Sequence, residues 1–323
     1  MVIEKGIRSN NEKYFMKFFC KCNENISLYN IFIFRIFAIK NIVLRSAIMK
    51  KYFLSILILL FSYSIVFAQS KKRVHNQHEI GLFIGGSYYI GDLNPRQHFY
   101  MTRPAFGAFY RYAMDYRGAF RVGFNWGQIA GDDSQSDNKD QIERNLNFKT
   151  NIEEFYSTAE FNFWDYRIGN DKHFFTLFVF GGISVFHFNP MGDAGGSNWV
   201  DLRQLKTEGE SKLYKLWQIS IPFGVGIKVN VAKNIGLGLE WGPRKTFTDY
   251  LDDVSSSYPN LTQNPPNGSQ GLLMSNKTKL PWSKITGDMR GNPSTKDWYF
   301  FTGLTINIRI NRNVPCYTYG FDR

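Results

Sequence analysis

The sequence predicts an all-β chain closed into an eight-stranded antiparallel transmembrane β-barrel with short periplasmic turns and long extracellular loops. Three observations predict it. Apolar and small-or-polar residues alternate along eight stretches, the period-2 mark of strands whose two faces meet unlike surroundings. Short and long connections alternate strictly between those stretches, as in barrels of an outer membrane. Aromatic residues make up 17% of the 323 positions, enough to supply the girdles that flank an apolar band.

The chain begins with a segment that the barrel does not need. Met49, Lys50 and Lys51 precede an apolar run from Tyr52 to Phe67, and Val66-Phe67-Ala68 places small residues at −3 and −1 of a cleavage point before Gln69. Residues 49–68 therefore read as a secretory signal peptide. The alternative, a transmembrane helix, asks for ~20 apolar residues, and this run is shorter and ends in a cleavage site. No cysteine follows that site, so a lipoprotein is not expected. Residues 1–48 are expected to be an over-extended start upstream of Met49, the alternative being an amphipathic N-terminal anchor. The exported domain is then 69–323.

The net charge of +12 suggests a nucleic-acid partner, but much of it lies in the leader. Residues 1–68 hold ten Lys or Arg and three Asp or Glu, leaving 29 basic against 24 acidic residues, or +5. Basic and acidic residues are interspersed there, so no nucleic-acid groove is expected. Cys20 and Cys22 fall upstream and only Cys316 lies in the exported domain. An intrachain disulfide is thereby excluded from the mature chain, and Cys316 is either an inert thiol or a handle for another protein.

The strands are placed at 79–92, 103–115, 118–131, 150–167, 172–189, 213–230, 234–250 and 297–310. Each exceeds the ~9 to 11 residues that cross a bilayer at the usual tilt. In the sixth, Trp217, Ile219, Ile221, Phe223, Val225, Ile227 and Val229 share one face, opposite Gln218, Ser220, Gly224, Gly226, Lys228 and Asn230. The seventh sets Ile235, Leu237, Leu239 and Trp241 against Gly236, Gly238, Glu240 and Gly242. The eighth sets Trp298, Phe300, Leu304, Ile306, Ile308 and Ile310 against Tyr299, Gly303, Thr305, Asn307 and Arg309. The fifth is apolar on both faces and leaves its register open. No segment shows a convincing helical period.

Tyr116-Arg117, Gly169-Asn170-Asp171 and Val231-Ala232-Lys233 are expected as tight periplasmic turns. Residues 93–102, 132–149, 190–212 and 251–296 are long and polar, and the last is long enough to act as a cap or contact surface. A soluble lipocalin-like barrel could share the strand count, but it would not need an apolar outer stripe on every strand.

Parity places Arg103, Arg111, Arg121, Glu154, Glu160, Lys228, Glu240 and Arg309 inside. Charges at membrane depth persist when they pair or meet water, so an internal ion-pair network is expected. It reads first as core filling and second as a transport pathway. Eight strands enclose room for little beyond their own side chains, which argues against a porin.

No catalytic, cofactor or metal residues are assigned, and no small-molecule substrate is evident. His187 with Asp193 and Asp201 is the one arrangement that could support a surface hydrolase. The loop Asp132 to Glu143 carries oxygen ligands at positions one, three, five and twelve of a calcium loop. It lacks the glycine at position six and reads as a solvated loop.

Several stretches resemble a known family. Gly85-Gly86-Ser87-Tyr88-Tyr89-Ile90-Gly91-Asp92-Leu93-Asn94 closes the first strand. Arg290-Gly291-Asn292-Pro293 and Asp297-Trp298-Tyr299-Phe300-Phe301-Thr302-Gly303-Leu304 lead into the last, followed by Pro315-Cys316. Together they resemble the PorG-like outer-membrane barrels of the Bacteroidota type IX secretion system. The resemblance implies a non-enzymatic accessory barrel that ties a periplasmic secretion ring to the outer membrane, assisting protein secretion and, where it occurs, gliding motility. Its partners would be outer-membrane lipid and the periplasmic ring proteins. Residues 1–48 depart from the family pattern. The tail after the last strand, with Pro315, Cys316 and Tyr317, and the segment Ser70–His78 are candidate contacts for the periplasmic partner, the alternative being a disordered terminus. The competing functions are a general structural or adhesion barrel and the His187 hydrolase.

Overall fold

A computed structural model describes residues 76–310. The expected leader at 49–68, the stretch 1–48 and the tail residues Pro315, Cys316 and Tyr317 lie outside them.

Among the described residues, ten strands form one sheet, and eight of them make the barrel. These are β1 (Gln77–Ile90), β2 (Arg103–Ala113), β3 (Gly118–Asp132), β4 (Asn147–Asn162), β5 (Phe175–His187), β8 (Trp217–Asn230), β9 (Ile235–Thr246) and β10 (Trp298–Ile310). Each pairs antiparallel with its sequence neighbour, and β1 pairs with β10 from His78↔Ile310 to Ile90↔Trp298, which closes the circuit. Closure matters because an open edge would leave backbone donors and acceptors unpaired in hydrocarbon. The short hairpin β6 (Met191–Asp193) and β7 (Trp199–Asp201) stands on the end of β4 within a long loop.

The alternation in sequence becomes an alternation in exposure. On β8, Trp217, Ile219, Phe223, Val225 and Ile227 face outward, with Ile219 57% exposed, while Ser220 and Lys228 on the alternate positions are buried. On β1, Ile80, Leu82 and Ile84 are about half exposed, whereas Glu79, Phe83, Ser87 and Tyr89 are buried. A continuous apolar wall this large around a polar lumen is stable only when hydrocarbon covers it. The chain is a transmembrane barrel. The open register of β5 resolves with Phe178, Phe180 and Phe186 inside and Leu177, Ile183 and Val185 outside.

Connections segregate to the two ends. Residues 114–117, 163–174 and 231–234 lie at one end, and 91–102, 133–146, 188–216 and 247–297 at the other. The middle short connection differs from expectation. The chain leaves β4 at Asn162 rather than 167, because Tyr166 and Ile168 turn into the lumen mouth and are buried there. The Tyr166 amide donates to the Tyr116 carbonyl at 3.0 Å, and Arg309 donates to the Ile168 carbonyl at 2.9 Å. This connection plugs the periplasmic end.

The long loops also hold more regular structure than their polarity suggests. Four α-helices lie there, α1 (Lys139–Arg144), α2 (Leu202–Leu205), α3 (Gly268–Ser275) and α4 (Trp282–Ile285), with a 3-10 turn at Asp133–Gln135. They are too short for a 3.6-residue period to show. Asn138 caps α1 by accepting from the Asp140 amide at 3.0 Å, and Asn145 ends it in the left-handed region, as helix termini require.

Candidate functional site

Two polar clusters stand out, one in the lumen and one above it. In the lumen, β2 and β3 point Arg111 and Arg121 toward Glu160 on β4. Arg111 reaches Glu160 at 3.4 Å and also pairs with Glu79. Arg121 lies 3.1 Å from Glu160 and 2.7 Å from Glu240 on β9. Lys228 of β8 donates to Glu160 as well and to Asn162 at 3.3 Å. Arg244 of β9 meets Glu154 at 3.2 Å, and Glu154 further accepts from Asn125 and the Tyr299 hydroxyl, each at 3.0 Å. Four cations thus meet four carboxylates, none of these side chains more than 5% exposed.

Aromatic rings fill the space that the ion pairs leave. Arg121 lies 5.0 Å from the Phe109 and Phe180 centroids, Lys228 3.9 Å from Phe178, and Arg244 4.7 Å from Phe301. Cations over ring faces gain further stabilisation when desolvated. Side chains therefore pack the lumen at this level.

The structure brings together Arg111, Arg121, Glu154, Glu160, Lys228 and Glu240 as expected from parity. Two expected members stand apart. Arg309 sits at the periplasmic mouth on Ile168 and on Asn234 at 2.9 Å, because the end of β10 lies below the network. Arg103 has inward parity but opens β2 at the opposite rim and is exposed. Two further members, Glu79 and Arg244, were legible from the same parity and complete the charge balance.

The second cluster is the extracellular cap. The two segments that carry the family resemblance, some two hundred residues apart, meet in it. The Asn292 amide donates to both carboxylate oxygens of Asp92, at 3.1 and 3.2 Å. The Tyr89 hydroxyl donates to Asp252 and lies 3.2 Å from Asp297, and Asp297 accepts from the Leu251 amide at 3.0 Å. Side chains at Gly91 or Gly291 would strike Tyr89 and Asp297, or Asp92 and Ser255, so only glycine permits this approach.

Two arginines staple the loops together. Arg290 pairs with Glu208 at 3.0 Å and donates to the Asp253 carbonyl at 2.6 Å. Arg144 holds Asp133 at 2.7 and 2.8 Å and donates to the carbonyls of Arg290 at 2.6 Å and Asp92 at 3.0 Å. All four long loops are thereby tied to one another. A cleft of about 640 Å³ opens beside them, bounded by Asp92, Gln141, Tyr258, Leu280 and Met289.

Carboxylates outnumber cations in this cap. Burial pushes the Asp253 carboxyl up to about 7 and the partly buried Asp92 up to about 6. Burial holds Asp252 and Asp297 well above the usual carboxylate range, reinforced by repulsion from Asp92 at Asp252 and from Asp252 at Asp297.

The other candidates dissolve into structural roles. His187 lies 3.6 Å from Glu153 rather than beside Asp193 or Asp201, since outward parity turns its ring against Trp217. Asp193 accepts from the Gly195 amide at 2.8 Å and Asp201 from Asn189 at 3.3 Å. In the loop of calcium-like spacing, Asp132 accepts from the Ser134 amide at 2.9 Å, Asp133 pairs with Arg144 and Asn138 caps α1. Of its calcium-spaced positions, Asp132 and Ser136 are engaged within the loop, Ser136 with Gln141.

Residues 51–266 match the family described as a domain of unknown function (DUF6089). No curated protein matches the sequence. Among solved structures, Ail, the attachment invasion locus protein of Yersinia pestis, is similar at 8% identity and a TM-score of 0.36, over 73% of this chain and 99% of that one. The N-terminal barrel domain of Pseudomonas aeruginosa OprF is similar at 9% identity and a TM-score of 0.31, over 73% and 100%. Neisserial surface protein A gives 9% and 0.31, over 73% and 97%. The barrel assignment rests on the closed hydrogen-bonded circuit rather than on these likenesses.

Proposed function

This chain belongs to the DUF6089 family, and we propose that it acts as a non-enzymatic outer-membrane barrel, an accessory component of a type IX secretion machine that links a periplasmic ring to the membrane. The observation that carries the reading is the charge-balanced packed lumen. A barrel filled in this way does not conduct solutes, so its work falls to its two ends. Both ends of the described chain, at Gln77 and Ile310, emerge on the short-turn side. That side faces the periplasm in barrels of this kind, and the segment Ser70–His78 and the tail 311–323, which join the barrel there, are the proposed contacts for a soluble partner. The resemblance of Gly85–Asn94, Arg290–Pro293 and Asp297–Leu304 to the PorG-like barrels supports the secretion class. Pro315, Cys316 and Tyr317 are the proposed contacts.

The test is affinity recovery of the tagged barrel from detergent-solubilised membranes, with and without residues 311–323. Truncation is expected to abolish recovery of the periplasmic ring proteins while leaving the barrel inserted. Equal recovery by both forms would defeat the tail's part. Normal secretion after deletion of the whole gene would defeat the secretion role.

A further inference from the structure

The first long loop does not stand clear of the barrel. It folds back over the outer wall, where His98 and Phe99 pack on Tyr88 and Phe300, with ring centroids 5.9 and 5.0 Å from Tyr88 for His98 and Phe99 and 5.5 Å between His98 and Phe300. Tyr88 and Phe300 have outward parity yet are 0% and 4% exposed. Below this ledge the wall of β8, β9 and β10 continues with Val225, Ile227, Leu239 and Thr302, and ledge and wall enclose a groove of about 530 Å³.

The polar side chains of Trp241, Tyr88 and Thr302 are already engaged with one another or with backbone. Trp241 donates its indole N–H to the Tyr88 hydroxyl at 2.9 Å, which lies 3.1 Å from His98 Nδ1. The Thr302 hydroxyl donates to the Glu240 carbonyl at 3.3 Å.

The ledge is also held in place. Asn94 donates to the carbonyls of Tyr89 at 2.7 Å and Gln97 at 2.8 Å, Thr102 to that of Phe99 at 2.7 Å, and Tyr100 to that of Asp132 at 3.2 Å. Phe99 and Met101 adopt positive φ of 63° and 47°, a conformation that non-glycine residues keep only where surroundings enforce it.

We propose that this groove holds one acyl chain of an outer-leaflet lipid, gripped between the loop ledge and the wall. The occupant follows from continuity, since Val225, Ile227 and Leu239 belong to the apolar rows already in contact with hydrocarbon. An open convex stretch of wall touches a chain on one side. Here the corner touches it on two, and dispersion contacts add accordingly. A preformed corner orders less protein on binding, so the chain resides there longer than at the open wall.

The full exported domain, reconstituted in phosphatidylethanolamine vesicles doped with a diazirine-tailed analogue, tests this directly. Photolabelling is expected to concentrate about tenfold on Val225, Leu239 and Thr302 over Val122 and Phe155 of the opposite wall, on β3 and β4, a ratio equal to ~1.4 kcal/mol. Phe99→Ala, which removes the ledge, and Thr302→Phe, which fills the groove, should each return labelling to the level of the opposite wall. Heat-modifiable migration on gels verifies that both variants keep the barrel. Equal labelling of the two walls in the native protein, or an excess that survives Thr302→Phe, would overturn the proposal.

Discussion

The lumen and the cap both bury arginines among carboxylates, but only the lumen balances them. Inside the barrel, Arg111, Arg121, Lys228 and Arg244 face Glu79, Glu154, Glu160 and Glu240. Above it, Asp133, Asp249, Asp252, Asp253, Asp297 and Glu208 are buried with Arg290 and the mostly covered Arg144. Hydrocarbon surrounds the lumen on every side, so an unmatched charge there would have neither water nor a flexible neighbour to relieve it. The cap stands in water and can hold its surplus by keeping protons. The two regions teach that the rigid part of this molecule is built from ion pairs and the adjustable part from protonated acids.

That contrast can be broken most forcefully at Glu160, which three cations share. Glu160→Ala leaves Arg111, Arg121 and Lys228 short of a partner and should cost ~3–5 kcal/mol, read as a lower urea midpoint in vesicles or detergent. A variant that unfolds at the native midpoint would show the network to be incidental. Arg290→Ala should act locally, loosening the cap by ~1.5–3 kcal/mol without moving the barrel midpoint. Faster protease cleavage within 247–297 would register it, and a matching fall in the barrel midpoint would erase the distinction between the regions. Tyr89→Phe removes the hydroxyl shared by Asp252 and Asp297 and should weaken the same loop by ~1 kcal/mol, visible as faster amide exchange at Leu251.

The smallest effect is a pH dependence confined to the cap. Asp92 and Asp253 have folded-state pKa values raised to about 6 and about 7, above the ordinary carboxylate value near ~4. Their contribution to cap stability is full below ~4 and declines as pH rises through the folded values. Cleavage of the long loop should therefore quicken between pH 5 and 8, by a conservative estimate of about twofold, and Asp253→Asn should flatten the profile. A profile that slopes the other way would contradict the assigned protonation.

Much of the barrel was legible because its rule is local. Each residue of Trp217–Val229 announces its face by its neighbours two positions away, so the eight strands fall within a few residues of their expected places. Glu79 and Arg244 carried the same signal, and counting charges of both signs along each strand would have found them. A cap was anticipated from the length of 251–296, but its internal contacts were not legible, because its keystones join Asp92 to Asn292 and Tyr89 to Asp252, distant in sequence and without a period. The turn 163–174 was misread for a related reason. Its Tyr166 and Ile168 continue the alternation of β4 while the chain has already bent into the lumen mouth. Phe300 keeps outward parity yet meets His98 instead of lipid, which only the folded loop could reveal.

The central claim is that successive residues of one strand see lipid and lumen in turn. Single cysteines placed through Trp217–Val229, labelled with a fluorophore and quenched by brominated lipids, measure it directly. Strong quenching at 219, 221, 223, 225 and 227 with little at 218, 220, 224 and 228 is the expected result. Uniform quenching, or none in a protein that stays folded without lipid or detergent, would contradict the transmembrane barrel.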